Sequence, residues 1–144
     1  MPSLTRWYIK SAFVYLGFSF LLGLLLAVDR FVLLPRFIQF MSPAYFHLFM
    51  VGWVTQMIFG VIYWMFPIIS RDSPRGNSRL GWVSFILLNA GLLLRVVFEP
   101  FVALAPQQSA WGWLLVVSAV FQWFAAFIFV VLSWPRVKER YRGG

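Results

Sequence analysis

A single histidine, His47, stands in a chain of 144 residues that has four acidic side chains, Asp29, Asp72, Glu99 and Glu139, and no cysteine. So small an inventory leaves little room for catalysis by side chains. One histidine and four acids cannot furnish several Ser/His/acid or Glu/His clusters, and no zinc-ligand spacing can be assembled. Without cysteine there is no disulfide framework, no thiolate metal site and no sulfur nucleophile. No glycine-rich phosphate loop follows a strand. The chemistry-bearing residues that remain are His47, Arg95 and Glu99, with Gln56, Asn89 and Gln122 as neutral hydrogen-bonding groups.

These residues lie in or beside long apolar runs. Hydrophobic residues make up 62% of the chain and charged ones 11%, at a mean hydropathy of +0.83. A soluble domain would carry about a quarter charged residues, so the composition indicates an integral membrane protein. The stretch Tyr45 to Pro67 has no charged residue. It is long enough to cross a bilayer core of about 30 Å at about 1.5 Å per helical residue. Prolines and turn-rich basic segments divide the rest. The expectation is an all-α, four-transmembrane-helix bundle in a single membrane domain, residues 1–144, with helices over about 8–34, 44–67, 80–98 and 110–134. Glu99-Pro100 stops the third helix in this reading, and Pro135 the fourth.

An even number of spans puts both termini on one side, along with the loop between the second and third helices. That side carries Arg6, Lys10, Arg71, Arg75, Arg79, Arg136, Lys138, Arg140 and Arg142, against Arg30 and Arg36 on the other. The positive-inside rule then predicts cytoplasmic N- and C-termini in a multi-pass inner or plasma membrane. The net charge of +8 is read as topology signal and lipid-headgroup contact rather than nucleic-acid binding. The lipid bilayer is thus the first expected partner.

The same topology puts His47, Arg95 and Glu99 in one leaflet, where an ionisable residue is costly and marks a candidate site. Arg95 and Glu99 are spaced i,i+4 and can pair, the arginine stem snorkelling outward. Alternatively, Arg95 anchors an anionic group such as a propionate or phosphate. At 100° per residue from His47, Gly52, Gln56, Gly60, Tyr63 and Pro67 fall on the opposite face, small and polar as close helix packing requires. His47 heads a stripe of Met50, Val51, Val54, Ile58, Val61 and Met65. That stripe faces lipid, a partner helix or a flat hydrophobic cofactor. Two readings of His47 stay open: an interfacial imidazole wetted by headgroups, or a ligand above an aliphatic wall, as heme is held.

His47, Gly52-Trp53-Val54, Ile58-Phe59-Gly60, Tyr63 and Pro67 together resemble the second helix of the heme-copper oxidase catalytic subunit. The likeness is to the branch of the cbb-type oxidases and nitric oxide reductases and their short homologues. It is clearest over residues 43–70; Asn89, Gly91 to Leu94 and Arg95 are compatible with it. The resemblance implies heme b, with His47 as axial ligand of the low-spin iron, Met50, Val51, Val54 and Ile58 along the ring, and Arg95 steadying a propionate. It also implies a prokaryotic respiratory setting. The full subunit has about twelve helices and six histidines, so this chain lacks the residues for an oxygen- or nitric-oxide-reducing centre. It is therefore expected to be no enzyme by itself and to bind neither copper nor zinc. A second ligand would come from another chain, in a homo-oligomer or a larger membrane complex. The alternatives are a structural or assembly subunit without heme and, with least support, a small transporter.

Overall fold

The computed structural model describes residues 1–137, all helix, turn and irregular connections without a strand. Lys138, Arg140 and Arg142, counted above as topology signals, lie outside the described residues. Helix α1 runs Ser3–Val28, and a connector holding the short α2, Arg36–Gln39, leads to a composite second span. That span comprises α3, Ser42–His47, a π-helical segment, Leu48–Thr55, and α4, Gln56–Met65. Helices α5, Ser78–Leu104, and α6, Ser109–Ser133, complete the bundle, and a 3-10 turn, Trp134–Arg136, closes it. Four helices are long and apolar enough to cross a membrane: Ser3–Val28, Ser42–Met65, Ser78–Leu104 and Ser109–Arg136.

Helices α5 and α6 form the most extensive pair, and α1 lies along the second span. Two apolar clusters run down the interior. One joins Leu4, Tyr8, Tyr63, Leu88 and Phe129; the other joins Tyr15, Leu22, Leu48 and Leu92. Phe13, Phe18 and Leu21 of α1 and Trp113, Val120 and Phe127 of α6 point outward. An outward apolar face costs nothing in hydrocarbon, which is why both faces of these helices read as hydrophobic.

Close approach, not apolar burial alone, holds such a bundle together. A Cβ on Gly91 would stand 2.8 Å from the Ser118 carbonyl oxygen and 2.9 Å from Gln122 Cγ, so glycine lets α5 and α6 meet backbone to backbone. The Ser118 hydroxyl donates to the Gly91 carbonyl at 2.6 Å in the same place. Ser84 donates to the Ala125 carbonyl at 2.8 Å and receives the Tyr8 hydroxyl at 3.3 Å, tying α1, α5 and α6.

The observed boundaries differ from those expected, for local reasons. The first helix stops at Val28, not near residue 34, because Asp29 Oδ1 accepts from the Leu34 amide (2.9 Å) and Gln39 Nε2 (3.1 Å), folding the chain back. Phe31 and Leu33 are left 90% exposed in that connector. The third helix does not stop at Glu99-Pro100 but continues to Leu104. Proline costs a helix one hydrogen bond, and here the loss falls in the last turns, where Pro100 is buried.

Candidate functional site

The second span changes helical pitch immediately after its histidine. Over Leu48–Thr55 the backbone bonds i→i+5, and the Thr55 hydroxyl reinforces the wide turn by donating to the Met50 carbonyl at 2.8 Å. Each residue then advances less than 100°, and over this segment the lag amounts to roughly a third of a turn. The regular wheel expected from the sequence therefore fails across it. Gly52, Gln56, Gly60 and Tyr63 are buried, but His47 turns toward α5 instead of standing opposite to them. The stripe beneath His47 is also divided. Met50 and Val51 share a small groove with His47 and Phe46, about 190 Å³ in volume, and Val51 packs against both core clusters. Ile58, Val61 and Met65 are exposed and do not line that groove, nor does the half-buried Val54.

His47 Nδ1 lies 2.9 Å from the carbonyl oxygen of Pro43, one turn earlier. A carbonyl can only accept, so Nδ1 carries a proton, and whenever the ring is neutral the lone pair is on Nε2. Pro43 stands in the first turn of α3, where its missing N–H costs no helix bond, and its carbonyl faces the residue four along as in any helical turn. Across the helix interface Glu99 Oε2 stands 3.9 Å from the same Nδ1, and Glu99 Oε1 stands 3.7 Å from Arg95 Nε. The side chains are 28%, 13% and 24% exposed for His47, Glu99 and Arg95, so the cluster is mostly withdrawn from its surroundings. Among the described residues Arg95 Nε and Glu99 Oε2 have no hydrogen-bond partner, which makes the attraction one of charge.

The structure thus brings together His47, Arg95 and Glu99, and it leaves Met50 and Val51 beside them but not Val54 or Ile58. Among the described residues no three His, Cys, Asp or Glu side chains converge, and His47 Nε2 is the available ligand nitrogen. Deeper in the bundle Asn89 Oδ1 accepts from Tyr15 Oη at 2.8 Å and Gln56 Nε2 at 3.1 Å, and Asn89 Nδ2 donates to the Phe85 carbonyl at 2.8 Å. Gln122 Nε2 donates to Ser118 at 3.2 Å. Gln56 and Asn89 are therefore interhelical hydrogen-bonding groups, whereas Gln122, expected to be one, bonds within α6 and meets α5 only by packing against Gly91.

Two features escape a reading of the sequence. A π segment has no periodic signature in a stretch that is apolar all round. Arg136, counted above only as a topology signal, is fully buried and donates to the carbonyls of Tyr63 (3.1 Å), Phe66 (2.7 Å) and Pro67 (3.1 Å). The one signal for it is Pro135, which stops the last helix and turns the next residue back.

No family model, curated protein or solved structure matches this chain.

Proposed function

We propose that this chain is a membrane heme-b protein in which His47 is an axial ligand and a second chain supplies the opposing one. Its role is electron transfer, or service as an accessory within a respiratory complex, without an oxygen- or nitric-oxide-reducing site of its own. The observation that carries the reading is the Nδ1 contact with Pro43, which orients the imidazole and leaves Nε2 to ligate. Ligating histidines are commonly held by such a bond on the other ring nitrogen. His47, Met50 and Val51 would flank one edge of the group, and a heme would supply one-electron chemistry there.

The groove beside His47 accommodates an edge rather than a whole macrocycle, so the remaining surface comes from a partner. A second copy meeting this one at His47 satisfies both needs. Arg95 is already engaged by Glu99 and would have to exchange carboxylates to hold a propionate. The basic residues Arg6, Lys10, Arg71, Arg75 and Arg79 beside the starts of α1 and α5 support cytoplasmic termini, and the resemblance stated above implies a prokaryotic plasma membrane.

A second reading, a structural subunit without heme, is favoured by one observation: the Arg95–Glu99 pair neutralises the cluster internally. A reduced-minus-oxidised visible spectrum of the protein from heme-replete cells separates the two. Sharp α and Soret bands lost in His47→Ala support ligation. A colourless wild type leaves the structural reading.

A further inference from the structure

At the opposite end of the bundle from His47, a cavity of about 270 Å³ lies where α1 and α5 begin and α4 ends. Ser3, Leu4, Tyr63, Arg75, Gly76 and Ser78 line it. Its polarity is one-sided. Among the described residues Arg75 Nε is buried without a hydrogen-bond partner, and so is one terminal nitrogen of Arg136. Arg136 does not line the cavity, but its guanidinium carbon lies 5.7 Å from the centre of the Tyr63 ring, which does. Arg75 is near enough for its charge to act against that of Arg136. Among the described residues neither arginine is within ion-pair distance of a carboxylate, since the two ion pairs found are those of Glu99.

Two like charges that act on each other and keep donors unpartnered among the described residues favour a nearby anion. The rest of the cavity suits one. The first turn of α1 has no side-chain cap, so its amides and the positive end of a long helix dipole face the space beside Ser3. The loop is fixed rather than loose. Gly76, at φ 74°, takes a left-handed turn against Leu132, where a Cβ would meet Cδ1 at 3.2 Å, and its amide bonds the Ser73 carbonyl at 3.2 Å. This places Arg75 beside the starts of two spanning helices, at the depth where phospholipid headgroups sit.

We propose that this cavity is a phosphate-group site, with Arg75 as its principal charged donor, Ser3 and Ser78 as hydroxyl donors, and an anionic phospholipid headgroup or a small phosphate as ligand. The full-length protein in mild detergent, titrated with phosphatidylglycerol or phosphatidylcholine and read by native mass spectrometry, tests it. Wild type should retain phosphatidylglycerol preferentially, and Arg75→Gln should lower that retention about fivefold, the effect of one arginine near an anionic lipid. Arg71→Gln, an exposed charge outside the cavity, should change it little. Arg75→Lys should recover part of the preference, and circular dichroism of each variant should show unchanged helix content. Glycerol 3-phosphate and inorganic phosphate identify the source: displacement of the lipid by either points to a small phosphate, and resistance to both points to a headgroup. Equal retention of the two lipids by wild type, with no binding of glycerol 3-phosphate or inorganic phosphate that Arg75→Gln weakens, overturns the proposal. So does a loss in Arg71→Gln as large as in Arg75→Gln, which would show diffuse surface charge.

Discussion

Glu99 reaches across the helix interface to His47, its Oε2 3.9 Å from the imidazole Nδ1, while its Oε1 stands 3.7 Å from Arg95. One carboxylate thus faces a cation on its own helix and a titratable ring on another. Removing it leaves Arg95 with no counter-charge in a mostly withdrawn position. Glu99→Gln should destabilise the protein by about 1–2 kcal/mol, between the values for exposed and buried pairs. The double variant Arg95→Met/Glu99→Gln should recover most of that loss. Denaturation in mixed micelles measures both, and a double variant no better than Glu99→Gln alone would refute the pairing.

The network on Asn89 predicts coupling between α1, the second span and α5. Tyr15 and Gln56 both donate to Asn89 Oδ1, so one substitution strands two donors. Membrane hydrogen bonds of this kind are modest, about 0.6 kcal/mol on average. Asn89→Leu should therefore cost about 1–2 kcal/mol, with part of it shared with Tyr15→Phe in a double-mutant cycle. Additive costs would mean that the Tyr15–Asn89 bond contributes nothing.

Much of this architecture can be read from composition, because four apolar runs separated by basic or proline-containing segments leave few alternatives. The packing face Gly52, Gln56, Gly60 and Tyr63 is legible for the same reason, being small and polar residues on a background that is otherwise apolar. The placement of His47 relative to that face is not. A hydrophobic wheel assumes one pitch, and the i→i+5 turns after His47 shift the register without altering residue types. The contact between His47 and Glu99 depends on the rotation of two helices about their axes, which is set by tertiary packing. The burial of Arg136 is equally hidden, because counting charges by loop ignores whether a side chain folds inward.

Close approach at Gly91 gives a stability prediction with an internal control. A side chain there meets the Ser118 backbone oxygen, which cannot swing aside as a flexible chain end would. Gly91→Val should cost about 1–3 kcal/mol, the usual range for overpacking, and weaken the α5–α6 pair. A Cβ on Gly17 would have nothing within 4 Å, so Gly17→Ala should be neutral or slightly stabilising. Equal tolerance at both positions in a detergent unfolding series would remove close packing as the reason for Gly91.

Arg136 yields the sharpest local prediction. The last carbonyls of α4 have no partners within the helix, and this buried guanidinium donates to those of Tyr63 and Phe66 together with Pro67. Its charge also stands at the negative end of the helix dipole. Arg136→Met should cost about 2 kcal/mol, since bonds to a charged group contribute more than neutral ones and the carbonyls would remain buried. Arg136→Lys should fall between the two, because an ammonium keeps the charge but cannot present the same fork of donors. Amide exchange should rise first over Tyr63 to Ile69, where the cap acts, before the α5–α6 pair loosens. If exchange in Arg136→Met rises uniformly along the bundle, the residue is acting on overall insertion rather than as a cap on α4.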